Sequence, residues 1–332
     1  MKKYDFAIVG ATGMVGRTFI KVLEERDLPI DHIYFFASER SEGNPVMFNG
    51  VRYTVETLTE NSFDRHIDIA LFSAGGDISK IYAPIAKAHG AVVIDNSNAW
   101  RMDPDVPLVV PEVNKEDIEW QKGIIANPNC STIQAVVALK PLYDKYGIKR
   151  IVYTTFQSVS GAGKTGCDEL TASLAGAPPK KFPHPIANNC IPQIDIFLDN
   201  AYTKEEVKMV NETRKMFHDP DLRITATCVR VPVMKSHSES INVEFNKTFE
   251  ISEVFKILDK APGVKLMDEI KNNVYPLATV AADTDLTYVG RIRRDESVES
   301  GLNLWVVADN VRKGAATNAV QIAEELIKIW EK

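Results

Sequence analysis

Buried-strand and amphipathic-helix patterns alternate along the first part of the chain. The continuous apolar run Tyr4 to Val9 predicts a strand covered on both faces, and the helical spacing of apolar residues predicts a helix over Met14 to Glu25. The same patterns predict a second helix over Ile78 to Ala88 and further strands at residues 33–37, 67–72, 91–94, 108–110 and 123–126. Strands that alternate with helices indicate a parallel α/β sheet, which binds ligands at the carboxyl ends of its strands.

The pattern changes after residue 130. A long helix over Ser131 to Tyr146 is predicted to lead into the alternating run Arg150 to Val159, which is typical of a half-buried strand. Further extended runs are predicted at residues 224–231, 240–245, 287–293 and 302–307. The stretch from Gly161 to Pro192 is rich in Gly, Pro, Ala and Lys, and we expect it to pack on a neighbouring subunit. The amphipathic run Ala315 to Trp330 predicts a last helix that returns to the first domain.

These patterns predict two domains within 332 residues, a length that allows two buried cores. The first is a Rossmann-type α/β dinucleotide-binding domain over residues 1–129, completed by a C-terminal helix within 312–332. The second is an α+β catalytic and dimerisation domain over residues 130–311, with a mostly antiparallel sheet.

Composition narrows the class of protein. The formal net charge is −6 and the Lys and Arg residues are dispersed, so no basic patch indicates nucleic-acid binding. No apolar stretch approaches the roughly 20 residues of a membrane span, and the chain enters its first strand without the apolar core of a signal peptide. The four cysteines form no CxxC motif and no metal-ligand spacing. We therefore expect a reduced cytoplasmic protein that uses no metal, nucleic acid or membrane.

A glycine-rich turn follows the first predicted strand. Gly10, Gly13 and Gly16 give the spacing GxxGxxG, a variant of the dinucleotide fingerprint GxGxxG. Its glycines let phosphate groups approach backbone N–H groups at a helix N-terminus. The alternative is an ordinary strand-to-helix turn. Because the turn directly follows a strand, we interpret it as a pyrophosphate-binding loop.

The end of the second predicted strand bears on the choice between NAD and NADP. An acidic residue there holds the ribose 2′-hydroxyl of NAD, whereas arginine accommodates the 2′-phosphate of NADP. Ser38, Arg40 and Ser41 fit the NADP pattern, with Glu39 turned toward solvent. The sequence therefore favours NADP, and a solvated surface turn is the alternative.

Cys130 is the candidate nucleophile. It follows Asn127-Pro128-Asn129 at the predicted start of a long helix, where unpaired N–H groups and the helix dipole favour a thiolate. Cys167, Cys190 and Cys228 lack this setting, and we expect them to be small buried hydrophobes. A reactive sulfur together with a hydride acceptor indicates oxidation of an aldehyde through a thioester.

His237 is the candidate general base. The chain has six histidines, so few side chains can exchange a proton with a thiol or a hemithioacetal near neutral pH. The alternative is a histidine with a purely structural role.

Several segments together resemble aspartate-β-semialdehyde dehydrogenase. They are the glycine turn, the run Asn127 to Thr132, the run Gln157 to Gly163, and the spacing from Arg230 to His237. The resemblance extends to residues 309–316 and is most similar to the bacterial branch of the family. It implies reversible, NADP-dependent conversion of L-aspartate-4-semialdehyde and phosphate to 4-phospho-L-aspartate, in the biosynthesis of lysine, methionine, threonine and diaminopimelate.

The resemblance also implies roles for individual residues. Cys130 would form the thioester, and His237 would be the acid and base. Arg230 would bind the substrate α-carboxylate and Glu205 the α-amino group. The remaining substrate-binding residues would be Gln157 beside the sulfur, and Lys208, Arg101 and Asn129 at the phosphate. The cofactor-binding residues would be Gly10, Thr12, Gly13, Met14, Val15, Ser38, Arg40, Ser41, Ser73, Gly75, Ser160, Gly161 and Asn310.

The residues alone leave other interpretations open. Glu205 and Lys208, three positions apart, are also compatible with a solvated charged helix face, and Arg101 with a surface arginine. Alternative functions are another acyl-phosphate reductase, acting on N-acetylglutamyl phosphate or a phosphorylated triose, and a non-catalytic NADP-sensing protein. We expect a homodimer or a homotetramer with small-molecule substrates.

Overall fold

The computed structural model describes residues 2–332 and divides into two compact units. The first unit contains the chain up to Pro128 together with Ala315–Lys332, and the second contains Asn129–Gly314. Each unit has its own six-stranded sheet.

The first unit is built on a parallel sheet. Its strands have the order β5-β2-β1-β6-β7-β8, and every neighbouring pair is parallel. A separate hairpin is formed by β3 and β4. The elements are β1 (Tyr4–Val9), α1 (Met14–Arg26), β2 (Ile30–Ala37), β3 (Pro45–Phe48), β4 (Val51–Thr54), β5 (Glu56–Thr57), β6 (Ile69–Phe72), α2 (Gly76–Ala88), β7 (Val92–Asp95), α3 (Pro111–Asn114) and β8 (Ile124–Ala126), with 3-10 helices at Glu39–Ser41, Glu60–Phe63 and Lys115–Trp120.

One predicted strand of this unit is wrong. Residues 108–110 form only a single bridge, between Leu108 and Ala126. Pro107 and Pro111 flank the segment and lack the N–H groups that a longer ladder requires, and Pro111 begins α3. The other predicted strands and helices of this unit are present, with boundaries that differ by a few residues.

The second unit carries a mixed sheet. The strand order is β10-β9-β11-β14-β13-β12; the three inner pairings are antiparallel, and the two edge pairings are parallel. The prediction of an α+β domain with a mostly antiparallel sheet is confirmed. The elements are α4 (Cys130–Tyr146), β9 (Ile148–Gln157), α5 (Lys164–Leu174), α6 (Lys204–Met216), β10 (Arg223–Arg230), β11 (His237–Phe245), α7 (Ile251–Lys260), β12 (Val264–Leu266), α8 (Ala278–Ala281), β13 (Thr287–Asp295) and β14 (Gly301–Ala308), with 3-10 helices at Val159–Ala162 and Ile270–Asn272 and a π-helix at Arg312–Ala316.

The two faces of this second sheet differ. Alternate residues of β9 and β11 are buried against helix α4, beginning with His237 on β11. The residues between them remain half-exposed, including Thr154, Phe156, Ser240 and, on β14, Trp305. Phe156 and Trp305 pack against each other across this second face, with ring centroids 5.5 Å apart. One side of the sheet is therefore core, and the other is partly open.

The last helix, α9 (Thr317–Trp330), packs into the core of the first unit. Its apolar side joins the cluster formed by β1, α1 and the neighbouring strands, as the amphipathic pattern predicts. Within residues 2–332, no helix is long and apolar enough to cross a membrane.

The Gly161 to Pro192 stretch contains a helix that the sequence pattern did not predict. Glu169 on α5 is nearly buried, and its carboxylate accepts hydrogen bonds from the N–H groups of Lys180, Lys181 and Phe182. The loop after the helix is thus fixed to the helix. Packing of this stretch on a neighbouring subunit stays a prediction.

Candidate active site

Helix α4 begins at Cys130, and Asn129 caps it. Asn129 Oδ1 accepts hydrogen bonds from the N–H groups of Ser131 and Thr132, at 3.0 and 3.3 Å, as is usual for an asparagine N-cap. The Asn129 N–H donates to the Glu212 carboxylate at 2.6 Å. The cap therefore fixes where the helix starts and, with it, the position of the sulfur.

The Cys130 thiol faces a fully buried imidazole. Cys130 Sγ lies 3.2 Å from Nε2 of His237. On the other side of the ring, Nδ1 is 3.1 Å from both the backbone N–H and the Oγ of Ser158. Because a backbone N–H can only donate, Nδ1 accepts here, and the neutral ring carries its proton on Nε2, toward the sulfur. The structure thus brings together the two residues predicted to be catalytic.

Burial keeps His237 uncharged in this arrangement. Its side chain is fully enclosed, and burial, reinforced by the Arg230 guanidinium, lowers the pKa of the imidazole to about 3. A second proton on this ring, which would make it an imidazolium, is therefore held weakly and is readily passed on.

Asn310 supports the ring from behind. Its Oδ1 accepts hydrogen bonds from Ser158 Oγ and Ser160 Oγ, each at 3.1 Å, and from the Ser236 N–H at 3.0 Å. The sequence predicted Ser160 and Asn310 as cofactor residues. In the structure, both belong to the network around His237.

Gly161 allows Arg230 and His237 to approach each other. A Cβ at position 161 would lie 2.9 Å from Arg230 Nη1, which is closer than real Cβ atoms approach, and 3.2 Å from His237 Nε2, which is tighter than most contacts. Arg230 is nearly buried, donates to the Ser158 carbonyl at 2.6 Å, and lies 5.9 Å from the Phe182 ring. A buried guanidinium beside the nucleophile is suited to a planar carboxylate.

Glu205 lies at the centre of a buried polar cluster. Its Oε1 accepts from Asn129 Nδ2 at 2.9 Å and from Gln157 Nε2 at 3.0 Å, and its Oε2 contacts Lys208 Nζ at 3.0 Å. Burial alone would raise the pKa of Glu205, but the Lys208 charge and these hydrogen bonds lower it to about 2. Glu205 is only 5% exposed, so the alternative of a solvated charged face is wrong for this residue.

Lys208 is shared between two carboxylates. Its ammonium lies 3.0 Å from Asp195 Oδ2 as well as 3.0 Å from Glu205 Oε2. Burial acts to lower the pKa of Lys208, but the two carboxylates outweigh it and raise the pKa. Lys208 is therefore a cation with two anionic partners, of which Asp195 is the more exposed.

Gly314, in the π-helix Arg312–Ala316, packs directly on the nucleophile. A Cβ at position 314 would lie 3.0 Å from Cys130 Cβ and 3.3 Å from Cys130 Cα. The Gly314 N–H donates to the Asp309 carbonyl at 2.9 Å, which holds the backbone there. A side chain at this position would therefore press on Cys130, which would have to shift by a few tenths of an ångström.

The glycine turn of the first unit borders a cavity of about 380 Å³. The cavity lies at the carboxyl ends of β1, β2 and β6, where parallel sheets bind dinucleotides. A Cβ on Gly16 would lie 2.1 Å from the Gly10 carbonyl oxygen, so the tight turn requires glycine there. The N-terminus of α1 has no side-chain cap and no acidic residue in its first turn, which suits an anionic group. Six of the predicted cofactor residues line this cavity: Gly10, Thr12, Gly13, Ser38, Arg40 and Ser73.

The other cofactor residues predicted in this unit lie close to the same turn. Met14 and Val15 form the first turn of α1, and Ser41 Oγ lies 3.2 Å from Thr12 Oγ1. Gly75 precedes α2 with φ of 93°, a conformation that favours glycine. Glu39 is exposed, as predicted, but it also lines the cavity.

Arg101 is buried and fixed by backbone carbonyl groups. Its Nε donates to the Asn127 carbonyl at 2.9 Å and its Nη2 to the Asn96 carbonyl at 3.0 Å. It is 8% exposed, so the alternative of a surface arginine is wrong.

Sequence reasoning missed several members of the site. Glu212, which holds Asn129, carries no motif that distinguishes it from an ordinary core-facing residue. Ser158, which holds His237, lies in the run Gln157 to Gly163 but was given no role there. One detectable signal was Glu239, an acid at a buried position of the alternating strand β11. The expectation that the other cysteines are buried is wrong for Cys190, which is exposed in an irregular segment, whereas Cys228 is buried and Cys167 is partly buried.

Comparisons with known proteins agree with this architecture. The family model described as semialdehyde dehydrogenase, NAD binding domain, matches residues 5–121, and the one described as semialdehyde dehydrogenase, dimerisation domain, matches residues 139–313. Aspartate-semialdehyde dehydrogenase of Aquifex aeolicus is 58% identical over 98% of both chains. The Campylobacter jejuni enzyme of the same name is 52% identical over 100% of this chain and 99% of its own.

A solved structure is equally similar. Aspartate semialdehyde dehydrogenase II of Vibrio cholerae, in complex with ASA, has a TM-score of 0.96 and 51% identity over 99% of each chain. The chain therefore belongs to the aspartate-semialdehyde dehydrogenase family.

Proposed function

We propose that the protein catalyses the reversible, NADP-dependent conversion of L-aspartate-4-semialdehyde and phosphate to 4-phospho-L-aspartate, the activity for which its relatives are named. The observation that carries this proposal is the 3.2 Å contact between Cys130 Sγ and His237 Nε2 at the start of α4. A thiol beside a buried, proton-exchanging imidazole is the arrangement that forms and breaks a thioester. Physiologically, the reductive direction supplies lysine, methionine, threonine and diaminopimelate synthesis.

The chemical steps assign each reacting atom. In the oxidative direction the Cys130 sulfur bonds to the aldehyde carbon and gives a hemithioacetal. The ring then takes the tautomer that carries its proton on Nδ1, where Ser158 Oγ can accept it, so that Nε2 is free. The aldehyde C–H bond breaks with loss of hydride, the hydroxyl proton passes to His237 Nε2, and a thioester remains. A phosphate oxygen attacks the thioester carbon, the C–S bond breaks, and the product is the acyl phosphate. The sulfur that leaves takes the proton back from His237 Nε2. The nicotinamide cofactor, when bound, accepts this hydride or returns it in the reductive direction.

Ser158 supports both protonation states of the His237 ring. Its N–H donates to Nδ1 when that atom carries no proton. When Nδ1 is protonated, Ser158 Oγ can accept from it, because that hydroxyl donates its own hydrogen to Asn310. Proton exchange with the substrate is therefore confined to Nε2, the ring nitrogen nearest the sulfur.

The polar side chains around Cys130 recognise the substrate. Arg230 binds the α-carboxylate through its guanidinium fork, and Glu205 binds the α-amino group. Gln157, which donates to Glu205 at 3.0 Å, orients the substrate beside the sulfur. A free ammonium on the substrate matches a carboxylate whose pKa lies at about 2, and an N-acetylated substrate has no such charge.

We assign phosphate binding to Lys208, Arg101 and Asn129, the residues that the family resemblance implies for it. The raised pKa of Lys208 keeps its ammonium charged, and phosphate replaces Asp195 as its partner. Arg101 is a rigid cation because two backbone carbonyl groups fix its guanidinium.

NADP is the preferred cofactor. The glycine turn and the N-terminus of α1 would hold its pyrophosphate. Ser38, Arg40 and Ser41 would hold the 2′-phosphate, and the exposure of Glu39 supports this because its charge is solvated.

The partly open face of the second sheet supports assembly into a homodimer. A face that carries Phe156 and Trp305 is suited to a second copy of the chain, whereas a soluble monomer usually covers such residues. A dimer of dimers and a cytoplasmic location are part of the same proposal.

The proposed function is tested by phosphate-dependent reduction of NADP⁺ with aspartate semialdehyde. Wild-type protein should reduce NADP⁺ faster than NAD⁺, and Cys130→Ser should lose activity by several orders of magnitude. Cys190→Ser, an exposed cysteine, is the matched control and should be fully active. Mass spectrometry of protein quenched during turnover should find the acyl adduct on Cys130. An adduct on another residue, or an active Cys130→Ser variant, refutes the proposal.

A further inference from the structure

A second carboxyl group lies behind the catalytic pair and takes no part in the mechanism above. Glu239 is on β11, two residues after His237 and on the same buried side of the strand. Its side chain is 0% exposed. A carboxylate in such a position needs a cation or several donors, because charge is costly to bury.

The groups around Glu239 supply neither. Gln134 from α4 lies beside the carboxyl group, and Tyr153 on β9 and Cys228 on β10 are the other titratable groups that face it, both uncharged. On its own strand the nearest is His237, which is neutral. Burial raises the pKa of Glu239 well above its usual range.

Within residues 2–332, three acceptor atoms of this cluster lack a hydrogen-bond donor. Both Glu239 oxygens and Gln134 Oε1 are buried acceptors with no hydrogen-bond donor among the described residues. Buried acceptors are rarely left unsatisfied in folded proteins. A single proton on Glu239 turns one of its oxygens into an O–H donor for Gln134 Oε1. Only one neutral carbonyl oxygen is then left without a donor, and the buried charge is removed.

Gln134 connects this cluster to the reacting atoms. It lies four residues after Cys130, one turn along α4, and its Nε2 donates to the His237 carbonyl at 3.3 Å. Helix α4, which carries the nucleophile, and strand β11, which carries the base, are therefore joined by the Gln134 side chain.

We propose that Glu239 is protonated in the folded protein and, through Gln134, is a positioning residue that holds His237 against Cys130. This inference rests on the proposed function, because it takes that pair to be catalytic. A neutral carboxyl fixes the Gln134 amide so that its Nε2 faces the His237 carbonyl. An ionised one would instead compete for the same amide hydrogens and place a charge beside the base.

Protonation is tested by the pH dependence of stability, independently of activity. An unfolded glutamate ionises above about pH 4.5, whereas folded Glu239 keeps its proton, so wild-type protein loses stability as the pH rises. Glu239→Gln does not have this linkage. The Tm of the variant relative to wild type should therefore rise between about pH 4 and pH 8. Glu244→Gln, on the opposite face of β11, should show no such rise. A pH-independent difference, or a relative Tm that falls with pH, overturns the assignment.

Positioning is tested by the reactivity of Cys130. In Glu239→Leu, the rate of Cys130 alkylation by iodoacetamide and the kcat should both fall about tenfold, with KM within about twofold of wild type. Glu239→Gln, which retains a donor for Gln134, should recover most of this loss and leave the pH profile of alkylation in place. A Leu variant that matches wild type, or a Gln variant as impaired as Leu, overturns the positioning role.

Failure of the proposed function can be distinguished from failure of the inference about Glu239. If wild-type protein shows no phosphate-dependent activity, the proposed function fails, while the alkylation and stability results still decide the inference. If Glu239→Leu does not fold, the Gln variant and the stability series suffice.

Discussion

Replacement of Glu205 by glutamine tests how much the buried polar cluster around this carboxylate stabilises the folded protein. The carboxylate takes hydrogen bonds from Asn129, Gln157 and Lys208, at 2.9, 3.0 and 3.0 Å, and its pKa is lowered from 4.5 to about 2. One pKa unit corresponds to about 1.4 kcal/mol, so ionised Glu205 contributes about 3 kcal/mol to folding at neutral pH. The glutamine amide would also direct N–H groups at existing donors.

The sign of the pH dependence follows from the lowered pKa. The contribution of Glu205 is fully present above pH 4.5 and is lost as the pH falls from 4.5 toward about 2. Urea unfolding at fixed protein concentration should therefore show Glu205→Gln about 3 kcal/mol less stable than wild type near pH 7, with a smaller difference near pH 3.

A matched control variant shows that the loss of stability in Glu205→Gln is larger than the loss caused by breaking an exposed ion pair. Asp168→Asn breaks the exposed pair with Lys164 and should cost less than about 0.5 kcal/mol. The reasoning is refuted if Glu205→Gln costs less than about 1 kcal/mol near pH 7, or if its cost is the same at both pH values.

The remaining predictions concern ligand recognition. Arg230→Lys keeps the charge but loses the guanidinium fork, so KM for aspartate semialdehyde should rise at least tenfold in initial-rate assays; an unchanged KM would contradict the carboxylate assignment. Arg40→Ala should raise KM for NADP⁺ by about tenfold and leave KM for NAD⁺ nearly unchanged; equal changes for both cofactors would exclude a role for Arg40 in 2′-phosphate binding.

Much of the first unit could be predicted because its strands are long apolar runs separated by amphipathic helices. The strand at 108–110 was mispredicted because apolar character alone does not reveal that two prolines prevent a ladder. The hairpin of β3 and β4 was missed, although Asn49-Gly50 is a common hairpin turn, because its strands are largely exposed.

The second unit was harder to predict because its site residues come from separate helices and strands. Helix α6 has a capping box at Thr203 and Glu206, a signal that could have fixed its start. The partners of the predicted site residues come from distant parts of the chain. Nothing local in the sequence indicates that Ser158 faces His237, 79 positions later.

The contact between Gly314 and Cys130 has a consequence for how this enzyme can change over time. Alanine is normally a mild replacement for glycine, yet here the added methyl group would meet the nucleophilic residue itself at 3.0 Å. A substitution at position 314, natural or engineered, should therefore first change the reactivity of the Cys130 sulfur. Any loss of folding should become measurable only later. Selection for turnover should therefore keep position 314 without a side chain.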